Sequence, residues 1–488
     1  MDSSTYDACV VGSGMAGLTT ASLLANEGLK VGVLEQNWIP GGCTSAYWRK
    51  GFIFESGATT LVGLEKNMPL GFLLDKINVE IEATELDLPM QVHLKNGETV
   101  NRHKSLEAWI IEAENKFGKK NQRAFWEFCF KISEFVWDTS LKQRAFPLEK
   151  FSDLLFAAGN ASFKQLKYAR YSLISMKQLL QKFDLLENSN FVDFCNEQLL
   201  ITAQNHIEEV NVLFGATALC YTNYPNYYVN GGLINLVNPL VQFIEKNQSK
   251  LILRCGVESI EKKNEVYYLH TKKHGIIKSK FLISSIPVNN TLSLTKFSVK
   301  KHFSKSAMES AQLNSAFQMG IAFKSDRPFE AIHHQIHLAN SLPETGSASI
   351  FISLSHDNDS SRSDEPGYKV ASVSTHVNDP ENRIMHNKAL AEKAVIQKLE
   401  QLGFLNAADI AYMHSSTPKA WQKWTRRAYG FVGGYPQYMK IKPWQMLGSR
   451  LDGDKAYLCG DTTYPGQGIP GATLSGVIAF EKLKRDHL

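Results

Sequence analysis

Three closely spaced glycines near the N-terminus, Gly12, Gly14 and Gly17, constrain the fold more than any other feature of the chain. Residues 6–11 form a short apolar run typical of a buried strand, and residues 18–29 have the apolar spacing of a helix. At such a junction the first glycine permits a tight turn, the second lets backbone N–H groups approach a pyrophosphate, and the third lets helix and strand pack closely. The junction predicts a dinucleotide-binding βαβ unit with the phosphate at the helix N-terminus.

An acidic residue follows these glycines at the distance expected for a ribose contact. Residues 31–34 are predicted to form a second strand, which ends in Glu35. A carboxylate about twenty positions after the glycines accepts hydrogen bonds from ribose hydroxyls and repels a 2′-phosphate. The pattern favours the adenosine half of FAD or NAD over NADP.

A second glycine-rich junction lies near the C-terminus. An apolar strand is predicted to end in Gly460 and Asp461, and a loop then leads to Gly468 and Ile469 at the start of a final helix. The N–H groups of that helix are expected to stabilise negative charge at the N1/O2 edge of a flavin on reduction, while Asp461 contacts the ribitol or the pyrophosphate. Two such junctions, hundreds of residues apart in the chain, suit FAD, because its adenosine half and its flavin half can be held by different segments. The alternative is a glycine- and proline-rich turn before an ordinary closing helix.

Composition excludes several classes of protein. The chain has 488 residues, of which 43% are hydrophobic, and a formal net charge of +5, so it is globular and no nucleic-acid partner is predicted. Its seven cysteines include no CxxC pair, which indicates a reducing compartment rather than disulfides or zinc. The first strand begins too early for a signal peptide, and no apolar run is long enough to span a membrane. A cytoplasmic location is therefore expected.

Residues 106–183 are predicted to be helical and are rich in aromatic residues interleaved with lysine and arginine. Aromatic residues at helical spacing most often belong to a core, which is the first interpretation of the aromatic run that includes Trp126, Phe128 and Phe130. Combined with cations, they are also typical of helices that lie in a membrane interface. A peripheral membrane protein that draws an apolar substrate through this region is therefore one prediction.

The second half of the chain is predicted to be rich in strands. Residues 316–375 alternate between apolar and polar side chains, and residues 357–366, rich in Asp and Ser, predict a surface loop. His333, His334 and His337 form the densest group of histidines. A metal site is not predicted there, because neighbouring residues of a strand point to opposite faces.

Taken together, these motifs resemble those of the phytoene desaturase, carotenoid isomerase and retinol saturase group of flavoproteins, within the wider amine-oxidase-like class. The resemblance covers nearly the whole chain in order: the first glycine junction, Glu35 with Gly41 and Gly42, residues 52–57, Gly231 and Gly232, Val257, Thr417 and Pro418, Gly433 and Gly434, and residues 460–470. The last segment, DTTYPGQGIP from Asp461, resembles polyene-acting members more than amine oxidases.

The chain also departs from that group next to the expected reaction site. Glu55 stands where such proteins often have Asp, and Ala58, Thr59 and Thr60 lack the usual proline or histidine. The resemblance implies that these residues lie near the isoalloxazine ring and the substrate.

The resemblance implies an α/β fold with a Rossmann-like FAD-binding domain, a discontinuous α+β substrate domain, and a helical region that could face a membrane. The FAD-binding domain would comprise residues 1–75, 230–290 and 440–488, and the substrate domain residues 76–229 and 291–439. The residues predicted to contact FAD are Gly12, Ser13, Gly14, Met15, Ala16, Gly17, Glu35, Gln36, Gly42, Cys43, Thr44, Thr59, Thr60, Val257, Gly460, Asp461, Gly468 and Ile469.

The implied activity is that of an FAD-dependent oxidoreductase that desaturates, saturates or isomerises carbon–carbon double bonds of a hydrophobic polyene or isoprenoid-like substrate. One FAD is expected, bound non-covalently. Two alternatives stay open: a flavin amine oxidase with Tyr435 and Tyr438 as its aromatic cage, and a non-enzymatic prenyl-lipid carrier of the same fold. Arg426 and Arg427 are interpreted as surface cations, with the orientation of a polar substrate end or of the flavin as the alternative. Neither a catalytic acid or base nor an oligomeric state is predicted.

Overall fold

The computed structural model describes residues 5–488, apart from the side chains of residues 163, 164 and 166. Its strands are β1 (Thr5–Val11), β2 (Val31–Leu34), β3 (Ala46–Arg49), β4 (Phe52–Glu55), β5 (Leu61–Val62), β6 (Thr84–Glu85), β7 (Met90–His93), β8 (Thr99–Arg102), β9 (Asn226–Tyr228), β10 (Lys250–Ile252), β11 (Val257–Lys263), β12 (Val266–Thr271), β13 (Gly275–Ser284), β14 (Asn314–Lys324), β15 (His333–His337), β16 (Ser349–Leu354), β17 (Tyr368–Asn378), β18 (Ile410–Ser416) and β19 (Ala456–Leu458). Its α-helices are α1 (Met15–Asn26), α2 (Pro69–Ile77), α3 (Leu106–Phe117), α4 (Gln122–Lys142), α5 (Phe151–Gly159), α6 (Phe163–Ala169), α7 (Met176–Lys182), α8 (Ser189–Ala203), α9 (Val212–Leu219), α10 (Ile234–Lys246), α11 (Val288–Leu294), α12 (Lys301–Ser304), α13 (Lys388–Gln401), α14 (Pro418–Thr425) and α15 (Gly468–His487).

The first sheet carries both glycine junctions. Its strand order is β10-β2-β1-β13-β12-β11, with β19 beside the second half of β13, and the pairs from β10 to β13 and β19 are parallel. Val10 is fully buried between Val33 and Ile283, as expected where a parallel sheet is covered on both faces. Helices α1, α10 and α15 pack on one of those faces. The predicted α/β class is confirmed, while the residue ranges of the two domains stay a prediction.

Helices α1 and α15 lie against each other, so the two junctions are brought together. A Cβ atom at Gly476 would lie 2.5 Å from the carbonyl oxygen of Ala16, and Thr20 Oγ1 donates to the carbonyl of Gly476 at 3.0 Å. The two helices start from neighbouring parts of one sheet, because β1 and β19 both pair with β13. Their N-termini therefore face the same region of the molecule.

The second sheet has two chemically different faces. Its order is β18-β14-β17-β16-β15-β7-β8. Alternate residues such as Phe317, Ile321 and Val373 pack on α13 in an apolar core. On the other face Gln318 and Ser374 lie opposite each other in register, whereas farther along it Ala322 and Val370 pack with Phe54 in a separate apolar cluster.

Helices α3 to α9 form a third layer with an aromatic core. Trp126 is fully buried, and Phe128 and Phe130 are half-buried against the same core. The core interpretation of these three residues is therefore supported, because their rings pack on other aromatic residues, while a membrane contact of the region stays a prediction. Among the described side chains of residues 106–183, the most exposed apolar ones lie on α5, where Phe151 is 73% exposed and Leu155 is 59% exposed.

The predicted surface loop at residues 357–366 is partly wrong. Arg362 lies in it and is buried, because its guanidinium donates to the carboxylate of Glu55 at 2.7 Å and to the carbonyl of Ile53 at 3.0 Å. Asp359 of the same loop is also buried, since it accepts hydrogen bonds from the Tyr228 hydroxyl and the Gly231 N–H.

Over residues 5–488, the helices are all too short or too polar to cross a membrane.

Candidate active site

One large cavity lies where the two glycine junctions, the polar face of the second sheet and the helical layer meet. Its volume is about 1260 Å³. Small-molecule sites usually have about 300–1,000 Å³. The cavity is therefore large enough for two ligands side by side, such as a dinucleotide and a substrate.

The glycine turn after β1 forms one end of the cavity. Gly12 has a φ of +96°, which favours glycine, and a Cβ atom at Gly14 would meet nothing within 4 Å. At Gly17 a Cβ atom would lie 2.3 Å from the carbonyl oxygen of Gly12. Gly12 and Gly14 line the cavity, whereas Gly17 lies behind it and holds α1 close to the turn. The backbone N–H groups at the start of α1 are therefore accessible to an anion.

Glu35 lies at the end of β2, beside this turn, and is buried. Its carboxylate accepts hydrogen bonds from the backbone N–H and hydroxyl of Ser13 at 3.0 and 2.6 Å, and from the N–H of Asn37 at 2.8 Å. These bonds fix the carboxylate at the cavity wall. Oε1 accepts only the Asn37 bond and keeps lone-pair capacity for a further donor, such as a ribose hydroxyl. The sequence indicated Glu35 but not the role of Ser13 in orienting it.

The C-terminal junction forms a second polar part of the cavity wall. Asp461 accepts a hydrogen bond of 2.8 Å from Arg427 Nη2, and both residues line the cavity. Arg427 also stacks on the ring of Phe431, with 4.3 Å between guanidinium carbon and ring centroid. The interpretation of Arg427 as a surface cation is therefore wrong, although Arg426 is exposed as expected.

Helix α15 begins at this junction, and the backbone of Gly468 and Ile469 lines the cavity. The cavity is thus lined by the N-termini of two long helices, α1 and α15. Each presents N–H groups with partial positive charge.

With the exception of Gly17, the structure places every residue predicted to contact FAD on the wall of this one cavity: Gly12, Ser13, Gly14, Met15, Ala16, Glu35, Gln36, Gly42, Cys43, Thr44, Thr59, Thr60, Val257, Gly460, Asp461, Gly468 and Ile469. The loop with Gly42 is held beside the first turn, because the N–H of Gly41 donates to the carbonyl of Ser13 at 3.0 Å. Thr59 connects the cavity to the second sheet by accepting a 2.8 Å hydrogen bond from Ser353.

Two expectations about the reaction site fail. Glu55 does not line the cavity, because its carboxylate is turned toward Arg362 and the N–H of Leu233 at the start of α10. Tyr435 and Tyr438, suggested as an aromatic cage, do not line it either. The Tyr438 hydroxyl donates to the carbonyl of Gln312 at 3.0 Å, and Tyr435 packs on Phe431 and bonds with Asn289.

The remainder of the cavity wall is divided between apolar and polar residues. Helices α4 and α5, with the segment between them, contribute Phe135, Val136, Leu148 and Leu154 among others. The second sheet contributes Gln318, Ser372, Ser374 and His376. This division makes the cavity suitable for a long molecule that has one apolar end and one polar end.

The histidines of β15 do not converge on a common point. His333 bonds with Ser353 at 2.7 Å, whereas His334 bonds with the carbonyl of Ala331 at 2.8 Å on the other face of the strand. Burial lowers the pKa of both imidazoles to about 3. Among the residues for which side chains are described, there is no group of three or more His, Cys, Asp or Glu residues arranged to hold a metal ion.

The model of the flavin-containing amine oxidoreductase family matches residues 15–481. The chain belongs to this family. A chloroplastic prolycopene isomerase of Daucus carota is 24% identical over an alignment of 503 residues, which covers 99% of this chain and 80% of that protein. An all-trans-retinol 13,14-reductase of Danio rerio is 27% identical over 266 residues, covering 52% of this chain and 42% of that protein. The predicted resemblance to carotenoid- and retinoid-modifying flavoproteins is confirmed.

The fold is shared with solved structures of the same class. Cyclohexylamine oxidase from Brevibacterium oxydans superposes with a TM-score of 0.62 at 13% identity, covering 98% of each chain. Similarity at this level shows that the two chains share a fold.

Membership in the flavin-containing amine oxidoreductase family confirms the predicted cofactor, FAD. The residues at the cavity fit this cofactor. The space above Gly14 is open, where a side chain would block a pyrophosphate. Glu35 lies on the cavity wall beside this turn and follows the glycines at the sequence separation typical of a ribose-binding carboxylate. In addition, Arg427 Nε is buried and has no hydrogen-bond partner among residues 5–488, which leaves a donor for a polar group in the cavity.

Proposed function

We propose that this chain is an FAD-dependent oxidoreductase that desaturates, saturates or isomerises carbon–carbon double bonds of a hydrophobic polyene or isoprenoid-like substrate. The observation that carries the proposal is the continuity of one cavity from the glycine turn of β1 to the apolar helices α4 and α5. Such a cavity can hold a dinucleotide and a long apolar molecule in contact. The names of the relatives, prolycopene isomerase and retinol reductase, support the same class of substrate.

In this proposal the start of α1 binds the pyrophosphate, and Glu35 binds the adenosine ribose. Asp461 and Arg427 would hold the ribitol side, and the N–H groups of Gly468 and Ile469 would stabilise negative charge on the reduced flavin. When bound, FAD supplies the capacity to accept or return a hydride at a carbon next to a conjugated double bond. The chain supplies position, exclusion of water and fixed dipoles.

The cavity wall supports a reaction without a proton shuttle through carboxylates. Glu35 and Asp461 are its two acidic residues within the described part of the chain, and both are held by hydrogen bonds to protein groups. The chain therefore contributes mainly by aligning an apolar substrate with the cofactor.

An anaerobic assay with purified FAD-loaded protein tests the proposal. Prolycopene and all-trans-retinol are incubated separately with oxidised and with reduced enzyme, and the products are resolved by chromatography. We expect a change in double-bond number or geometry that requires FAD and is lost in a Gly14→Val variant. Cyclohexylamine is the competing probe: bleaching of the flavin by this amine, with both polyenes unchanged, would favour the amine oxidase alternative.

We also propose that the protein contacts a membrane through α5. Phe151, Leu154 and Leu155 on this helix are 73%, 50% and 59% exposed. Its buried side is polar, because Asp153 accepts hydrogen bonds of 2.6 and 3.0 Å from Arg450. A helix with its apolar side outward is suited to lipid rather than to water.

Two further features support a membrane contact through α5. Leu154 lines the cavity, so that the exposed apolar surface continues into it. The neighbouring cations Lys167 and Arg170 are exposed, which suits an anionic lipid surface.

A liposome sedimentation assay tests the membrane contact. A Phe151→Ser/Leu155→Ser variant should bind anionic vesicles at least about tenfold more weakly than the native protein while keeping its FAD. A Trp48→Ser/Ile384→Ser variant is the matched control, since these side chains are 60% and 66% exposed and do not line the cavity. Equal losses in both variants, or no binding by native protein at low salt, would contradict the proposal.

A further inference from the structure

The cavity-facing side of the second sheet is polar over a considerable length. On β17, Ser372, Ser374 and His376 alternate with core residues and line the cavity. From Ser372 to His376 this strip extends for about 13 Å, at about 3.3 Å per strand residue. Gln318 on β14 is the register partner of Ser374 and widens the strip. We call these four residues, together with the adjacent Gln204, the polar strip.

Two groups of the polar strip are buried without a hydrogen-bond partner. Ser372 Oγ and Gln204 Oε1 find no donor or acceptor within residues 5–488, although their residues are only 6% and 5% exposed. A buried polar group without a partner costs about 1–3 kcal/mol. Both residues line the cavity, so a small rotation of either side chain would present its oxygen to a ligand group there.

The polar strip carries no formal charge at neutral pH. Desolvation lowers the pKa of His376 to about 4, so its imidazole is neutral. The charged residues on the described cavity wall are Glu35, Asp461, Arg426 and Arg427, and they lie at the two glycine junctions and at the end of α14. A carboxylate or an ammonium group placed at the strip would therefore be desolvated without a counter-ion.

We propose that the polar strip binds an uncharged oxygen function of the substrate, a hydroxyl or carbonyl group, while the apolar chain of the substrate lies along α4 and α5. The juxtaposition of an apolar helical wall with an uncharged polar sheet face carries this inference. It rests on the proposed function and narrows it: the substrate is an oxygenated polyene or isoprenoid rather than a pure hydrocarbon.

Three probes with one carbon skeleton test the inference on FAD-loaded enzyme: all-trans-retinol, the corresponding hydrocarbon with hydrogen in place of the hydroxyl group, and retinoic acid. Binding is followed by the change in flavin absorption. Retinol should bind at least about fivefold more tightly than either of the other probes. Ser372→Ala should raise the Kd of retinol about 3- to 10-fold and leave that of the hydrocarbon unchanged.

Further variants separate the strip from general effects on the sheet. Ser374→Ala should also weaken the binding of retinol, whereas Ser349→Ala, at a buried position of the same sheet outside the cavity wall, should not. Equal affinities for retinol and the hydrocarbon, or tightest binding of retinoic acid, would overturn the inference and leave the proposed function intact. Loss of FAD from the Ser372→Ala enzyme would also overturn it, because the hydroxyl would then serve the cofactor. If none of the probes binds, the proposed function itself fails.

Discussion

Substitutions at Gly14 and Gly17 should separate cofactor binding from folding, although the two glycines are only three residues apart. A Cβ atom at Gly14 would meet nothing within 4 Å, and the backbone there has φ −66° and ψ 171°, which any residue can adopt. A Cβ atom at Gly17 would lie 2.3 Å from the Gly12 carbonyl oxygen and 2.8 Å from Ser285 Oγ. We therefore expect Gly14→Val to fold normally without binding FAD, and Gly17→Val to fold poorly.

The expected losses of FAD affinity and of folding stability follow from these contacts. In the Gly14→Val variant two charge-assisted hydrogen bonds to the pyrophosphate are lost, at about 1.5–3 kcal/mol each, so the affinity for FAD should fall more than about 100-fold. In the Gly17→Val variant the helix must move from the turn by about 1 Å, and overpacking of this kind costs about 1–3 kcal/mol.

The free energy of unfolding should be measured by urea titration of the apoprotein, because bound FAD at 100 times its Kd would itself add about 2.7 kcal/mol. FAD affinity is measured separately by fluorescence titration. Gly159→Ala controls for the loss of a glycine, because a Cβ atom there would meet nothing within 4 Å and its φ is not positive. A Gly14→Val protein with a full complement of FAD would refute the assignment of the cradle, and one as unstable as Gly17→Val would show that Gly14 serves the fold.

Three further predictions address the cofactor site and the stability of the fold. Glu35→Ala should weaken FAD binding by about 2–4 kcal/mol without changing the products, as measured by titration of the apoprotein with FAD; an unchanged Kd would exclude a ribose contact. Arg450→Met should lower the free energy of unfolding by about 3–5 kcal/mol because the buried carboxylates of Asp153 and Asp486 both lose its guanidinium, and a urea midpoint equal to that of the native protein would contradict this. Burial lowers the folded-state pKa of His333 and His334 to about 3, so the unfolded chain binds more protons below pH 6.5, and stability should fall by about 2 kcal/mol per histidine between pH 7 and 5. His334→Gln should flatten this pH dependence. If the free energy of unfolding has the same slope against pH in the variant and the native protein, His334 does not contribute to it.

Local sequence patterns were sufficient for the cofactor cradle. Gly12 and Gly14 stand between a strand and a helix that are continuous in sequence, so their geometry follows from short-range rules. Arg427 was misinterpreted because its partner, Asp461, lies 34 residues away and its position depends on how α14 meets the second junction. The position of Glu55 was missed for the same reason, since Arg362 is more than 300 residues distant in the chain.

The helical region shows a different limit of sequence patterns. The predicted helical character of residues 106–183, which include Trp126, Phe128 and Phe130, is confirmed by α3 to α7. Helical character does not tell, however, whether an apolar side meets protein or lipid. In the structure α4 is surrounded by α3, α8 and α9, so Trp126 is covered. On α5, by contrast, the buried position is taken by Asp153 and the apolar residues remain outside. Only the arrangement of neighbouring helices separates these two cases.

The polar face of the second sheet shows the same limit of sequence patterns for a strand. In β17, Ser372 and Ser374 alternate with Ala371 and Val373, a pattern that ordinarily predicts a strand with one face in the core and one in water. In the structure the polar face meets a cavity, where Ser372 is buried without a partner among residues 5–488. Alternation determines which side chains share a face, while the order of the strands and the helices opposite determine what that face contacts. A polar face turned inward retains hydrogen-bonding capacity that the folded chain does not use, and a ligand with matching groups can use it.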